Sequence, residues 1–477
     1  MNIVTASSQI AYCLTEGTEI HDEGQGIVVV SPFFQVAISP LGPGLKQVFS
    51  GLAQSPCSMR WINATIDAAH EEGMLMTCYR YLSSLMRHQM CHISVISESS
   101  GEPLATLYPT SASFQHKWIH VQPEQLYRLS RFAYMHRGED EECWLESPLS
   151  HALLTVQSKL VADLLYQLAT ARTPLELARM TGEGSLDTVA DVLTLLLMGN
   201  FAAATTDDAQ LAEEHDVALR QWEFHDLLFH SRSRGGRHSN PLGGTYRFLY
   251  ELPAQPVIKP APWPVTVQLP QPDMERIQRT DPTLSLAMEK RASIRTYNEE
   301  HPITKEQISE FLYRVAHIKD VYTYGESGEL TRRPYPGGGA SYELECYLTV
   351  DRCSGLAFGL YWYDPLKHTL SLVREPDNDT ERLLIDAGQS MGEDSRPQVL
   401  ITLAARFQRV SWKYQSIAYA LILKDAGVFY ATMYLVASAM NLAPCAIGAG
   451  DSDLFASLIG SDYYQETSVG EFALGSR

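Results

Sequence analysis

Apolar runs of two lengths alternate along the chain, and they predict different elements. Gln398 to Ala405, Leu344 to Val350 and Gly470 to Leu474 are short apolar stretches of strand length. Gly359 to Pro365 followed by His368 to Leu372 reads as a hairpin. Thr304 and Gln307 have capping-box spacing, and Ile308, Phe311, Leu312 and Val315 then make a helical stripe. Asp281-Pro282 reads as a helix cap and first residue, leading through Leu284, Ala287 and Met288. No charge occurs in the 25 positions from Ala426 to Gly450, which is the length of a membrane span. Gly427, Ala431, Thr432 and Ser438 dilute that run, Pro444 breaks it, and Lys424 and Asp425 precede it. A helix buried in a core or at a subunit interface is therefore expected, with no membrane partner.

The first 250 residues carry an internal repeat. Val28 to Phe33 parallels Trp144 to Leu149, and Leu52 to Pro56 parallels Leu168 to Pro174; the offset at Ser31 and at Leu52 is 116 residues. Each copy reads as a hairpin, helices and a further apolar run, Ile93 to Ile96 in the first and Leu193 to Ala204 in the second. This order suggests two small α+β modules of winged-helix type. Seven prolines from Pro253 to Pro272 then impose an extended path and mark a domain boundary.

At 477 residues the chain is too long for one core, and 45% apolar content is that of a packed protein. A formal charge of −19 repels polyphosphates, and the helices at 175–180 and 186–198 have no basic face, so no nucleic-acid partner is expected. Eight scattered cysteines without a Cys-x-x-Cys suit buried thiols, and the start Met1 to Thr5 lacks a secretory pattern, so a cytoplasmic location is expected. His225, Asp226 and His230 do not make a metal site, because histidines five apart do not share a helix face. Arg232, Arg234, Arg237 and His238 form a basic cluster that also reads as a solvated turn.

Candidate chemistry collects in the last 200 residues. Ser411-Trp412-Lys413-Tyr414 follows the apolar strand, where α/β scaffolds tend to place reactive groups. Arg291, Ser293 and Arg295 make an Arg-x-Ser-x-Arg, whose guanidinium forks match phosphate oxygens and equally offset a helix C-terminus. Pro336-Gly337-Gly338-Gly339 lets backbone press against a planar group, and Ile447-Gly448-Ala449 offers the same close approach.

Taken together, Ser411 to Tyr414, Asp425 to Gly427, Ile447 to Ala449, the Arg-x-Ser-x-Arg and the glycine loop resemble the SagB-type dehydrogenases of the flavin-dependent nitroreductase superfamily. With the long N-terminal extension and the segment Trp222 to Arg234, the chain resembles the cyanobactin thiazoline oxidases of the ThcOx type. The sequence departs from that pattern at Gly337, usually Ser, at Glu343, often Pro, and at Ile417 and Ala420, where family members carry arginines.

The resemblance implies an α+β fold with a nitroreductase-like FMN domain over 273–477. Two winged-helix-like, peptide-clamp modules over 1–125 and 126–250 and a proline-rich linker over 251–272 would precede it. It further implies FMN-dependent oxidation of peptide thiazolines or oxazolines to azoles, with the azoline-containing precursor peptide as partner and a homodimer as the assembly. Lys413 would be the base and Tyr414 its hydrogen-bond partner; a lysine needs desolvation or neighbouring positive charge for that task. Arg291, Ser293, Arg295, Pro336, Gly337, Gly338, Ile447, Gly448 and Ala449 would contact the flavin, and no metal is implied. An NAD(P)H-dependent nitro- or quinone reductase and a non-catalytic peptide-binding scaffold remain as alternatives.

Overall fold

The computed structural model describes residues 9–71, 73–117, 119–138, 141–182, 185–206, 208–325, 328–392 and 396–477. The chain divides into two units, Met1–Asn240 and Pro241–Arg477.

The first unit repeats one order of elements. Strand Ile10–Leu14 is followed by a meander of Glu19–Asp22, Ile27–Val30 and Gln35–Ile38, helices Pro43–Leu52, Met59–Ala68 and Leu75–Arg87, and strand Cys91–Ile96. The second pass has Tyr127–Leu129, the meander Tyr134–Arg137, Cys143–Glu146 and Ala152–Val156, helices Lys159–Gln167, Pro174–Thr181 and Leu186–Met198, and strand Ala202–Ala204. In both passes the last strand pairs antiparallel with the first. Local signals set the helix starts: Ser158 and Ser185 accept N–H groups of the first turn, and Thr173 with Glu176 forms a capping box ahead of Pro174.

The two passes are not separate bodies, contrary to modules divided at 125/126. Strand Pro103–Pro109 pairs with Cys91–Ile96 on one side and with Ala152–Val156 on the other, so one seven-stranded antiparallel sheet runs through both. A single apolar cluster, including Tyr12, Phe49, Leu85, Leu164, Leu195 and Phe201, fills the unit. The hairpin that closes the first pass gives the second a partner for an otherwise open edge.

The second unit is built on an antiparallel sheet in the order Val267–Gln268, Thr369–Arg374, Gly359–Asp364, Leu344–Val350, Val399–Arg406, Glu466–Ser476, Leu442–Ile447. Its two central strands are buried along their whole length, which explains the unbroken apolar runs. Val399, Ile401 and Leu403 join the core under helices Lys305–Ala316 and Ala418–Ala439, whereas Leu400 and Ala404 join the core under Asn378–Ser390 and Ser452–Ile459. Alternate side chains thus serve opposite faces.

Helix Ala418–Ala439 passes the length and composition test for a membrane span. Ile422, Ala426, Phe429, Met433 and Ala437 bury one of its faces against the sheet, as expected of a core helix. The helix expected from Asp281-Pro282 begins two residues later, with Thr283 as cap, and runs over Leu284–Lys290. Of its apolar residues Ala287 is buried, while Leu284 and Met288 are exposed.

The proline-rich stretch belongs to the second unit and is strapped to it, where a linker was expected. An extended segment has no internal hydrogen bonds, so its carbonyls are available to donors. Trp412 Nε1–H donates to Leu252 O, the Arg409 guanidinium to Gln255 O and that of Arg406 to Pro256 O. Lys259 Nζ donates to Tyr347 Oη and to both Glu466 oxygens at 2.6–2.7 Å, and Trp263 packs on Tyr347 and Trp362.

Candidate active site

Strand Val399–Arg406 delivers its chain to one short helix, Gln408–Ser411, which turns Trp412, Lys413 and Tyr414 out of the sheet. Tyr414 and Gln415 then form a two-residue ladder with Gly243 and Gly244. The Tyr246 N–H donates to Lys413 O at 3.1 Å, and Ser416 Oγ–H donates to Pro241 O at 2.8 Å. Residues just before the strap therefore fix the backbone of the Lys-Tyr pair. Lys413 Nζ lies 5.4 Å from the Tyr246 ring centre and 5.3 Å from that of Tyr414, so two aromatic faces hold the ammonium. Both residues are half-buried, and Lys413 and Arg409 share a small cleft with Gly339 and Trp412.

The glycine loop closes the other side of this pair. Gly339 has φ +58°, and a Cβ placed there would lie 2.1 Å from Tyr414 Oη and 3.0 Å from Lys413 Nζ. Only a residue without a side chain fits both the backbone conformation and the contact. The Gly338 N–H donates to both Asp425 oxygens, at 2.8 and 3.0 Å, which ties the loop to helix Ala418–Ala439. Pro336 is exposed, and Tyr335 is buried with its ring stacked 4.1 Å from that of Phe429.

Beneath the loop lies a layer of buried charge. Glu343 is fully buried and contacts Asp425, and burial with that neighbouring carboxylate pushes its carboxyl up to about 8. Burial also raises Asp425, against the lowering effect of the Gly338 N–H and of Glu343 as donor. Arg409 is lowered to about 10, first by burial and then by Arg406 and Arg333. Arg406 pairs with the buried Glu345 at 3.5 Å.

The remaining candidates gather farther along the same helix. Ser293 Oγ is 2.8 Å from Tyr434 Oη, which in turn accepts the Ala446 N–H at 2.8 Å. The Arg291 guanidinium lies 5.4 Å from the Tyr434 ring centre, Arg295 interacts with Cys445, and Tyr430 Oη–H donates to Ile447 O. Arg291, Arg295, Gly448 and Ala449 are exposed, and a Cβ on Gly448 would meet open space. Lys290, Ala292 and Ile294 line a cavity of about 550 Å³ together with Ser438, Asn441 and Arg477.

This donor set fits a phosphorylated flavin. Two exposed guanidiniums and a hydroxyl suit a phosphate and its polyol, and open glycine backbone suits a ring edge. Asp425 and Tyr434 mark the two groups of residues on the helix, about 13 Å apart by helical rise. The structure thus brings Lys413, Tyr414, Gly337 and Gly338 together in one group and Arg291, Ser293, Arg295, Ile447 and Gly448 in another.

Elsewhere, His225 Nε2 lies 3.5 Å from the neighbouring Asp226, while His230 stacks on Trp222. Arg232 of the basic cluster pairs with Glu146 at 2.8 Å.

Sequence reasoning missed Tyr246 and Tyr434. Tyr246 carries no motif and lies before the prolines, and Tyr434 looks like any aromatic of an apolar helix. Asp425 was visible as a motif residue, and a carboxylate inside an apolar helix needs a partner, but the sequence did not say which.

Residues 127–239 match the family model of the cyanobactin oxidase ThcOx, and residues 288–476 match that of the nitroreductase family. MJ1384 of Methanocaldococcus jannaschii, named as a nitroreductase, is 29% identical over 185 residues, 39% of this chain and 85% of its own. A nitroreductase structure from Ralstonia eutropha JMP134 is 21% identical over 47% of this chain and 98% of that one, with a TM-score of 0.35. The E. coli microcin synthetase McbBCD complex with truncated pro-MccB17 is 20% identical over 40% and 72%, TM-score 0.33. A nitroreductase in complex with FMN from Desulfovibrio desulfuricans is 17% identical over 41% and 86%, TM-score 0.26. Likenesses this distant assign no function.

Proposed function

Because the chain joins a cyanobactin-oxidase ThcOx segment to a nitroreductase-family oxidoreductase domain, we propose that it is an FMN-dependent azoline oxidase. It converts thiazolines or oxazolines in a precursor peptide to thiazoles or oxazoles. The observation that carries this reading is the Lys413–Tyr414 pair, packed against Gly339 in the same unit as the Arg291, Ser293 and Arg295 donor set.

Aromatisation removes a proton and a hydride from adjacent ring carbons. FMN, when bound, supplies the acceptor for the hydride. Lys413 takes the proton from the carbon bearing the peptide carbonyl, the more acidic of the two, and Tyr414 orients the amine. The Tyr246 and Tyr414 faces hold Nζ in place, and Arg409 lines the same cleft. Arg291, Arg295 and Ser293 hold the phosphate and polyol, and Gly448 and Ala449 present backbone to the ring.

Two copies complete the site in this reading. Leu284 and Met288 are exposed on a helix packed against Ala418–Ala439, which itself exposes Tyr419, Leu423 and Val428. That apolar face suits an identical partner. The N-terminal unit presents edge strands such as Glu19–Asp22, to which a peptide can add as a further strand.

The test is single-turnover oxidation of a thiazoline peptide without added nicotinamide. The likeness to MJ1384 favours a second reading, an NAD(P)H-dependent reductase. Rapid flavin reduction by NADPH with none by peptide decides for that one.

A further inference from the structure

Glu343 and Asp425 stand outside the roles given above, and their arrangement is unusual. Glu343 has no exposed surface, and among the described residues neither of its carboxyl oxygens meets a donor N–H or O–H from another residue. It faces Asp425, another carboxyl, itself 7% exposed, and Arg333 opposes the resulting repulsion only in part. Two carboxylates cannot satisfy each other, since both only accept; one proton between them turns repulsion into a hydrogen bond. Asp425 then keeps its negative charge for the Gly338 N–H, which it accepts with both oxygens. The next residue in the loop is Gly339, where an added Cβ would lie 2.1 Å from the Tyr414 hydroxyl.

We infer that Glu343 and Asp425 are positioning residues that share one proton, and that this proton holds the glycine loop in the place where Lys413 and Tyr414 can act. The inference rests on the azoline-oxidase reading for its catalytic consequence, though not for the pair itself. With the proton present, Glu343 donates to Asp425, Asp425 accepts from Gly338, and Gly339 backs the Tyr414 hydroxyl. Loss of the proton leaves two buried anions in contact, and the loop gives way because it is the exposed side of the contact. Every packed element contributes charge to the balance. Arg333 precedes the loop, Glu345 and Tyr335 flank Glu343, Arg406 ends the adjoining strand, Arg409 lies on the short helix, and Lys424 neighbours Asp425. Burial and the neighbouring Asp425 carboxyl push the Glu343 carboxyl up to about 8, so the change should fall within a range where the enzyme can be assayed.

Hydrogen–deuterium exchange of the loop, 335–345, tests this in the FMN-loaded wild-type protein without peptide. After correction for intrinsic rate, protection at pH 7 should fall at least tenfold by pH 9. Glu343→Gln, whose amide N–H replaces the shared proton, should show equal protection at both pH values. In peptide oxidation, the ratio of kcat at pH 9 to kcat at pH 7 should be several-fold higher in Glu343→Gln than in wild type. Asp425→Asn keeps an acceptor for Gly338 and should likewise flatten the profile, whereas Asp425→Ala should lose loop protection at every pH. Equal wild-type protection at pH 7 and pH 9 overturns the inference, as does a Glu343→Gln profile parallel to that of wild type. If the exchange results hold and no azoline peptide is oxidised, the azoline-oxidase reading fails and the proton-held loop stands.

Discussion

Gly339→Ala separates the catalytic reading from a merely structural one, because the three glycines of the loop differ in what a methyl group would meet. At Gly339 the new Cβ would sit 2.1 Å from Tyr414 Oη and 3.1 Å from its Cζ. Ordinary contact starts at 3.4 Å, so the hydroxyl must retreat by about 1.3 Å. A displacement of ~1 Å in a reacting group costs on the order of 10²-fold in rate. The left-handed backbone at φ +58° adds about 1 kcal/mol of strain for alanine, a modest loss for a folded domain. At Gly338 the Cβ would make ordinary contact with Asp425 and Leu421, at 3.4 and 3.5 Å. At Gly337, with φ −132°, the nearest atom is a Tyr342 ring carbon at 3.2 Å. Turnover of a saturating thiazoline peptide, flavin content by absorbance and a urea melt would be measured for all three variants. The expected outcome is a loss of about 10²-fold in kcat for Gly339→Ala with flavin retained, and losses below about fivefold for the other two. Wild-type turnover in Gly339→Ala, or equal losses at all three positions, refutes the assignment of the Tyr414 contact to the site.

Four further outcomes follow from the same geometry. Lys413→Ala should keep the flavin spectrum and lose turnover by ~10²-fold or more, the scale of a general base; normal turnover removes Lys413 from that role. Arg291→Ala with Arg295→Ala should emerge from purification largely without flavin, while retention of a stoichiometric yellow cofactor would show that the phosphate is held elsewhere. Glu343 keeps a proton when folded up to about pH 8 that it releases near the usual carboxylate range when unfolded, so its contribution is complete at low pH and is lost as pH rises towards 8. Glu343→Gln should therefore gain stability over wild type between pH 5 and pH 8, by about 3 kcal/mol at neutral pH on the linkage relation. A difference in urea midpoints that does not change with pH contradicts this. Leu284→Asp with Met288→Asp should convert a dimer to a monomer by light scattering, and a wild-type monomer with flavin bound would contradict the paired assembly.

Periodicity marked out the scaffold of the second unit well. The strand expected over 398–405 lies at Val399–Arg406, and Leu344–Val350, the hairpin and the Thr304 capping box stand where their patterns put them. Strands buried on both faces and helices with one apolar stripe declare themselves locally. The strap did not, because prolines specify an extended path and say nothing about what the path lies against. Lys259, Trp263 and the donors Arg406, Arg409 and Trp412 decide that from far along the chain. The 116-residue repeat was visible in sequence, yet the joining of its copies into one sheet depends on pairing between Pro103–Pro109 and Ala152–Val156, a non-local choice. At the site, motif residues were legible and their supports were not. Tyr246 and Tyr434 carry no motif and reach the candidate residues through the fold alone, whereas Glu343 stood out as a departure from the family pattern, and the structure sets it beside Asp425.

The most direct measurement is an anaerobic absorbance titration of the FMN-loaded protein with a thiazoline peptide, with no nicotinamide present. The account predicts stoichiometric loss of the oxidised-flavin band, with recovery of a peptide lighter by two hydrogens. A band that stays intact with peptide and bleaches with NADPH would contradict it.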